Sequence, residues 1–537
     1  MTAAVAETAI LGARVRTQDP ARPFVAAVAW RDGTIVAVGD EAEVREACDA
    51  STTLIDGAGT TVTPGLVDAH IHPFLAEETR GADLTAVRTR AQLVEALRGH
   101  RAEHPEEEWL LGWGLDYGAL ESPRIDAAPL LEAVGDLPVL VTTMDFHTGI
   151  ATPAALARAG ATGAERFESG SVVVAEAGAP TGELREAEAI ELVRGAVPAL
   201  DAAAERRLAI ARLASLNACG ITGAHVMNGD LAGLAALREL EAAGDLSVRL
   251  IHPFTISPDL GPEELAALLV KGEEAGRRWR GGVAKFFVDG VIESGTAWLY
   301  EPDSEGMGQA PFWPTAERYA EAVRSFAAAG FQCVTHAIGD RAVGFTLDTY
   351  ASAAPARGGA PHRIEHLETL DPRDLARFGA GSPAASMQPL HMQWREPDGG
   401  GTFADRLGPE RAARAFQVRS ILDRGATVAL GSDWPVAQYD PRIGMAWARL
   451  RRAPGRPDLA PFEPEQRLSG AEALAGYTTG AAAIVGEAHL AGRIAAGRRA
   501  DLTAFAADPA EIDADELPAL PVLLTVVDGE VVRRAER

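Results

Sequence analysis

The chain of 537 residues has only three cysteines, Cys48, Cys219 and Cys333, and lysine is nearly absent. Cysteines this few and this far apart provide neither a disulfide framework nor a Cys-based zinc site, and they suit a reducing compartment. A Gly-rich phosphate loop ending in Gly-Lys-Ser/Thr does not occur. Nor does Gly-x-Ser-x-Gly, so nucleophilic serine chemistry lacks its usual signature; Ser432 simply precedes Asp433 in GSDWP. No apolar run reaches the roughly 18–20 residues that span a bilayer, and the N-terminus lacks the basic n-region of a signal peptide. Basic residues are outnumbered, 50 Lys and Arg against 76 Asp and Glu, for a net charge of −26. A nucleic-acid binder would carry a basic excess or patch. These absences lead to the expectation of a cytoplasmic protein with no nucleic-acid or membrane partner. They leave monomer and homo-oligomer equally open.

What is present is ordinary globular composition, 47% hydrophobic, in a chain long enough for several domains. Near both ends, FVAAVAWRDGTIVAVGD (24–40) and PVLLTVVDGEVVRRAER (521–537) set Asp-Gly between apolar runs, a hairpin signal. The economical reading pairs residues 1–64 and 490–537 into one small β-sandwich domain; two unrelated hairpins are the alternative. The middle, 65–489, alternates helical stretches with eight candidate strands: 65–72, 220–227, 247–255, 283–290, 332–339, 362–368, 383–390 and 427–435. This pattern predicts an α/β fold, a TIM-like (β/α)8 barrel. The gap 73–219 is too long for one crossover and holds strand-like text of its own. It reads as an inserted subdomain after the first barrel strand, over the barrel mouth.

The histidines carry the chemical signal. His70 and His72 sit two apart at the end of the first strand, so their side chains project from one face. Barrel active sites lie at the C-terminal ends of the strands, and paired imidazoles suit zinc or a similar first-row ion. Lys285 lies in the fourth strand, His336 ends the fifth, His366 lies in the sixth, and Asp433 ends the eighth. Any one of these alone could be a satisfied core residue or an ion-pair partner. Six of them at corresponding places in successive strands point to a metal centre. His225 ends the second strand and faces the same mouth, as a substrate or supporting residue. His252 lies in the third strand. His100, His104, His362 and His489 fall in helical or loop text and read as surface residues.

The ordered set TPGLVDAHIHP (63–73), AKFFVDG (284–290), VTHAIGDRAV (334–343), RIEHLE (363–368), SMQPLH (386–391), GSDWPV (431–436) and RADLTAF (499–505) resembles the metal-dependent amidohydrolase superfamily. It is most similar to the long-chain branch that includes N-substituted formamide deformylases, and the likeness covers nearly the whole chain. The resemblance implies a binuclear centre, usually zinc. His70, His72 and Asp433 would hold one ion, His336 and His366 the other, and Lys285 would bridge them as a carbamate formed with CO2. A single ion with unmodified Lys285 fits the sequence equally. Asp433 would be the catalytic acid–base residue beside a metal-activated hydroxide. His147 matches a family histidine in the insertion, and with His225, Asp289 and His391 it is a candidate substrate contact. Where the branch often has Gly and Arg after the Asp-Gly pair, this chain has Glu293 and Gly295. The activity implied is hydrolysis of a non-peptide C–N bond in a small amide-like molecule, N-formyl, N-acyl or cyclic. A deaminase or ester-type hydrolase on the same scaffold, or an inactive barrel protein, are the alternatives.

Overall fold

A computed structural model describes residues 5–535, apart from 75–78, 122–124, 145–147, 166, 168–170, 175–177, 259, 273 and 397–398. His147 therefore lies outside the described residues. The chain forms two compact units, one of residues 1–72 with 210–537 and one of residues 73–209.

In the first unit, strands from both ends of the chain share one eight-stranded sheet. The seam is the antiparallel pair Thr61–Pro64 with Leu502–Phe505, in register from Leu502↔Pro64 to Phe505↔Thr61. Ile10, Val15, Val28, Trp30, Val62, Leu502, Leu524 and Val526 bury its core. The two Asp-Gly signals are two-residue hairpin turns. Asp32 and Gly33 have φ of 48° and 72°, and Asp528 and Gly529 have 55° and 80°. Positive φ at both central positions is the turn whose twist matches that of paired strands.

Each of the eight candidate strand segments contains a strand: β1 (Leu66–Ile71), β2 (Ile221–Val226), β3 in two pieces (Arg249–Ile251 and Phe254–Thr255), β4 (Val283–Phe287), β5 (Gln332–Ala337), β6 (Arg363–His366), β7 (Ala384–Met387) and β8 (Val428–Leu430). One parallel sheet runs Trp279–Arg280, the first piece of β3, β2, β1; the other runs the second piece of β3, then β4 to β8 in sequence order. The helix after β4, Ala316–Ala328, shows why these segments fold as they do. Thr315 caps it by accepting the Arg318 N–H, and Tyr319, Ala320, Val323, Phe326 and Ala327 form one buried stripe. Tyr319 and Phe326 both pack edge-on against Phe286 of β4, at 5.9 Å.

One layer of the strands is apolar. Ile251, Val283, Val334, Ala384 and Ala429 cluster with Ala481 and Ile484. Because alternate residues of a strand share a face, the positions two further along β4, β5 and β7 share this face one layer nearer the strand C-termini. They are Lys285, His336 and Ser386.

The second unit holds a six-stranded mixed sheet in the order Ser171–Val174, Pro180–Arg185, Thr148–Ala151, Val139–Thr143, Leu110–Leu115, Ala82–Asp83. Two apolar clusters support it, one around Leu93, Leu110, Val139 and Ile150 and one around Leu140, Leu156, Leu184 and Ile190. Among the described residues, no helix is long and apolar enough to cross a membrane.

Candidate metal and catalytic centre

His70 and His72 leave the end of β1 and present Nε2 to the same oxygen, Asp433 Oδ1, at 3.2 and 3.0 Å. Their other ring nitrogens are committed. His70 Nδ1 lies 2.6 Å from Glu365 Oε2, and His72 Nδ1 lies 3.2 Å from Asn228 Oδ1. An acceptor at Nδ1 fixes the proton there and turns the Nε2 lone pair toward Asp433, the arrangement in which imidazole ligates a metal. Lone pairs facing a carboxylate repel it unless a cation or a proton stands between. Burial lowers the pKa of His72, although its hydrogen bond to Asp433 raises it in part.

A second set meets the other oxygen of Asp433. His366 Nδ1 and His391 Nε2 lie 3.9 and 3.5 Å from Oδ2, and neither has a hydrogen-bond partner. Their rings stack at 5.9 Å. Glu368 Oε1, 3.0 Å from His391 Nδ1, orients that ring. Burial would lower the pKa of His391, but Glu368 and Asp433 outweigh it and the net shift is upward. Burial would likewise raise Asp433, but His70, His72 and His366 hold its carboxyl well below the usual range.

His336 stands beside His366, ring centroids 4.4 Å apart. Its Nε2 donates to the Gly290 carbonyl at 3.1 Å, which leaves Nδ1 the lone-pair nitrogen. Burial pushes its pKa down to about 3, so the ring is neutral at pH 7. Lys285 is fully buried, and its Nζ has no hydrogen-bond partner. Burial brings its pKa down to about 8 against the pull of Glu365 and Asp433. A buried ammonium without a hydrogen-bond partner is costly; Lys285 Nζ stands 4.8 Å from the centroid of the Phe287 ring.

The backbone is shaped around this centre. Asp433 has φ of 59° and donates its N–H to the His70 carbonyl at 2.7 Å. Asp68 accepts the N–H groups of His70 and Ser432, both at 3.0 Å, and so ties the ends of β1 and β8 together. His366 and Leu367 have φ of 74° and 54°. Consecutive left-handed residues without glycine cost about 1–3 kcal/mol each and recur at functional sites.

The other candidates take supporting places. Asp289 accepts three backbone N–H groups, from Trp298, Ile338 and Gly339, at 2.8–3.1 Å. It thereby fixes the loop whose Gly290 carbonyl holds His336. His225 is buried, with Nδ1 accepting from Arg363 at 2.9 Å; Arg363 pairs with Glu365 at 2.7 Å, and Glu365 with His70. His252 contacts the Asp230 carbonyl. His362 corrects the sequence reading: it is buried, accepting the Cys333 N–H at Nδ1 and donating to the Ala354 carbonyl from Nε2. Two backbone partners satisfy it, and its place at the first position of a candidate strand gives no sign of them. Glu293 lies near Glu368 and His391; burial and the Glu368 charge push its pKa up to about 7.

Sequence reasoning missed Asp68, Asn228, Glu365 and Glu368. Glu365 and Glu368 stand in the quoted RIEHLE. Strict strand alternation sets Glu365 and His366 on opposite faces, yet Glu365 meets His70 while His366, with a φ of 74° at the end of β6, meets Asp433.

A fold of parallel strands flanked by helices, with histidines and an aspartate gathered at the strand ends, defines the class of protein. Its sequence matches the model of the amidohydrolase family over residues 53–533, and the chain belongs to that family. It is 30% identical to the N-substituted formamide deformylase of Arthrobacter pascens, over 98% of each chain. It is 28% identical to the putative amidohydrolase YtcJ of Bacillus subtilis, over 94% of this chain and 95% of that one. An uncharacterized metal-dependent hydrolase from Pyrococcus horikoshii shares its fold, with a TM-score of 0.74 at 22% identity, over 94% of this chain and 99% of that one. The fold is thus of the TIM-barrel type.

Proposed function

We propose that the chain is a metal-dependent hydrolase of a non-peptide C–N bond in an N-formyl, N-acyl or cyclic amide. The observation that carries this reading is the convergence of His70, His72, His366 and His391 on the two oxygens of one buried aspartate. The likeness to a formamide deformylase favours the amide end of the range. In this reading β1 to β8 close a (β/α)8 barrel. The bonds from Asp433 N–H to the His70 carbonyl and from His72 N–H to the Trp434 carbonyl support closure, as does β3, which pairs into both sheets. The strands near both chain ends form the small second domain, and residues 73–219 the insertion.

His70, His72 and Asp433 would hold one divalent ion, expected to be zinc. His366 and His336 would hold the second, with His391 facing the same Asp433 oxygen as His366, and Lys285 would serve both ions as its carbamate. The amine suits that role, because a neutral lysine amine, with its pKa brought down to about 8, can add CO2, release a proton and become a monoanion with two oxygens, where the ammonium has no hydrogen-bond partner. Divalent ions held there would supply Lewis acidity, bringing the pKa of a water toward about 7 and polarising the substrate carbonyl. Asp433 stays ionised, accepts the proton of the attacking water and returns it to the leaving nitrogen. Glu365 and Asn228 keep His70 and His72 in the ligating tautomer, and Asp289 keeps His336 in place.

Metal analysis tests this reading. The wild type should carry transition metal, and His70→Ala and His72→Ala should each lose an ion and nearly all turnover. Lys285→Ala should be inactive, with partial recovery on adding short-chain carboxylic acids. Lys285→Ala with wild-type metal content and rate would refute the bridge, and full activity in metal-free protein would refute the whole reading.

A further inference from the structure

Three residues before His391 stands a neutral, buried side chain whose hydrogen-bonding groups are unused. Gln388 directly follows β7, and only 2% of its surface is exposed. Neither its Oε1 nor its Nε2 has a hydrogen-bond partner. Two residues back, within β7, Ser386 is fully buried, and its Oγ also lacks one.

The pattern along β7 gives the direction. Ala384 joins the apolar layer with Val283 and Val334, and Ser386 then shares the layer of Lys285 and His336. Gln388 comes one step further toward the C-terminal end, where barrel enzymes bind substrate. Its carbonyl accepts the His391 N–H at 3.1 Å, so it also anchors the turn that carries His391 to Asp433. On the next strand, Gly431 donates to the Met387 carbonyl, two residues before Asp433.

A buried carboxamide left unpaired at both ends costs free energy, of the order that a lost hydrogen bond costs at each. A structural role would be served better by an apolar residue of the same length. The groups on offer, one acceptor and one pair of donors, are neutral and complementary to an amide. We infer that Gln388 is a specificity-determining substrate contact that takes the N–H of the scissile amide at Oε1 and an acceptor of the substrate at Nε2. The inference rests on the hydrolase reading above and narrows it: the substrate is a primary or secondary amide, or a urea, that carries an N–H on the leaving nitrogen. Tertiary amides and esters leave Oε1 unpaired and are disfavoured. The contact also favours the reaction itself. As the C–N bond breaks, the nitrogen becomes pyramidal and gains the proton from Asp433, so its N–H groups become stronger donors to Oε1 in the transition state than in the ground state.

The test uses the metal-loaded full chain, Gln388→Met, and three probes: N-butylformamide, its N-methyl derivative and butyl formate. Butyl formate keeps the shape of N-butylformamide without the N–H, so its reaction in both proteins corrects for intrinsic reactivity. The amide-to-ester ratio of kcat/KM should fall by about 10- to 100-fold in the variant, mostly in kcat. Activity on the N-methyl derivative, which lacks the N–H but keeps the acceptor, should fall no more than activity on butyl formate does. Metal content should stay that of the wild type, and Tm should hold or rise, because the variant removes two unpaired polar groups. An unchanged ratio would overturn the inference. So would a clear fall in Tm, since it would mean that Gln388 has partners within the fold. A metal-loaded wild type that hydrolyses none of the probes would refute the hydrolase reading instead. Calorimetric binding of N-butylformamide then decides the inference, which predicts weaker binding to Gln388→Met and is overturned by equal binding.

Discussion

Asp433 is the residue on which the centre turns, since one carboxylate faces both histidine sets. Asp433→Asn keeps the shape and removes the charge and the base. The rate should fall by roughly 10²–10⁴-fold, with the fold intact and substrate affinity far less changed, in steady-state kinetics checked by circular dichroism. Near-normal turnover would make Asp433 structural and shift the proton transfer to another group. A second prediction concerns pH. His362 is buried among backbone partners, and burial lowers its pKa below the ordinary 6.5. The unfolded chain then takes up this proton at a higher pH than the folded one does. His362 therefore adds stability in full above about pH 6.5, and that stability is lost as pH falls toward the folded value. Thermal unfolding from pH 7.5 to 5 should show a smaller loss for His362→Gln than for the wild type, and parallel curves would contradict the assignment. The sequence singles out the residues repeated at strand ends, His70, His72, Lys285, His336, His366 and Asp433, and of these His70, His72 and His366 gather on Asp433. Glu365, Glu368 and Asn228 were not legible, because each acts through a histidine distant in sequence or across a turn of unusual φ. Gln388 stood in a quoted motif, but only its burial without a partner marks it.

At the scale of elements, the Asp-Gly hairpins are the sharpest local rule. A methyl group at Gly33 would meet Asp528 Oδ1 at 2.5 Å and the Asp528 carbonyl at 2.9 Å, at a φ of 72°. Gly33→Ala should therefore cost about 1–3 kcal/mol and lower Tm by several degrees, while metal content stays unchanged. An unaltered Tm would mean that the turn relaxes freely. The barrel strands were readable because each is a short apolar run closed by a polar or glycine-rich turn, with an amphipathic helix after most of them. Their pairing could be argued from sequence order alone, since β4 to β8 neighbour one another in the order of the chain. The two-piece form of β3 was not readable. Pro253 divides Arg249–Ile251 from Phe254–Thr255, but nothing in the sequence shows that the two pieces pair into different sheets.

At the scale of the whole molecule, both ends of the chain meet in one sheet, and a long excursion, residues 73–209, forms a unit with its own sheet and cores. Matching hairpin signals near both ends suggested the first feature. The strand order 171–174, 180–185, 148–151, 139–143, 110–115, 82–83 of the excursion was out of reach, because it mixes parallel and antiparallel neighbours with no periodic cue. The net charge of −26 keeps long-range electrostatics unfavourable to anions. This agrees with the neutral amide inferred as substrate, although the charge of the site itself decides. The amide hydrolysis proposed for this chain depends on divalent metal at Asp433. Its most direct test is amine release from N-formyl and N-acyl amines by chelator-stripped protein titrated with Zn²⁺ in the presence of bicarbonate. Release should be absent at the start and rise with added zinc until the sites are filled. Release that is already complete in the stripped protein, or absent at every zinc level across the panel, would contradict the account.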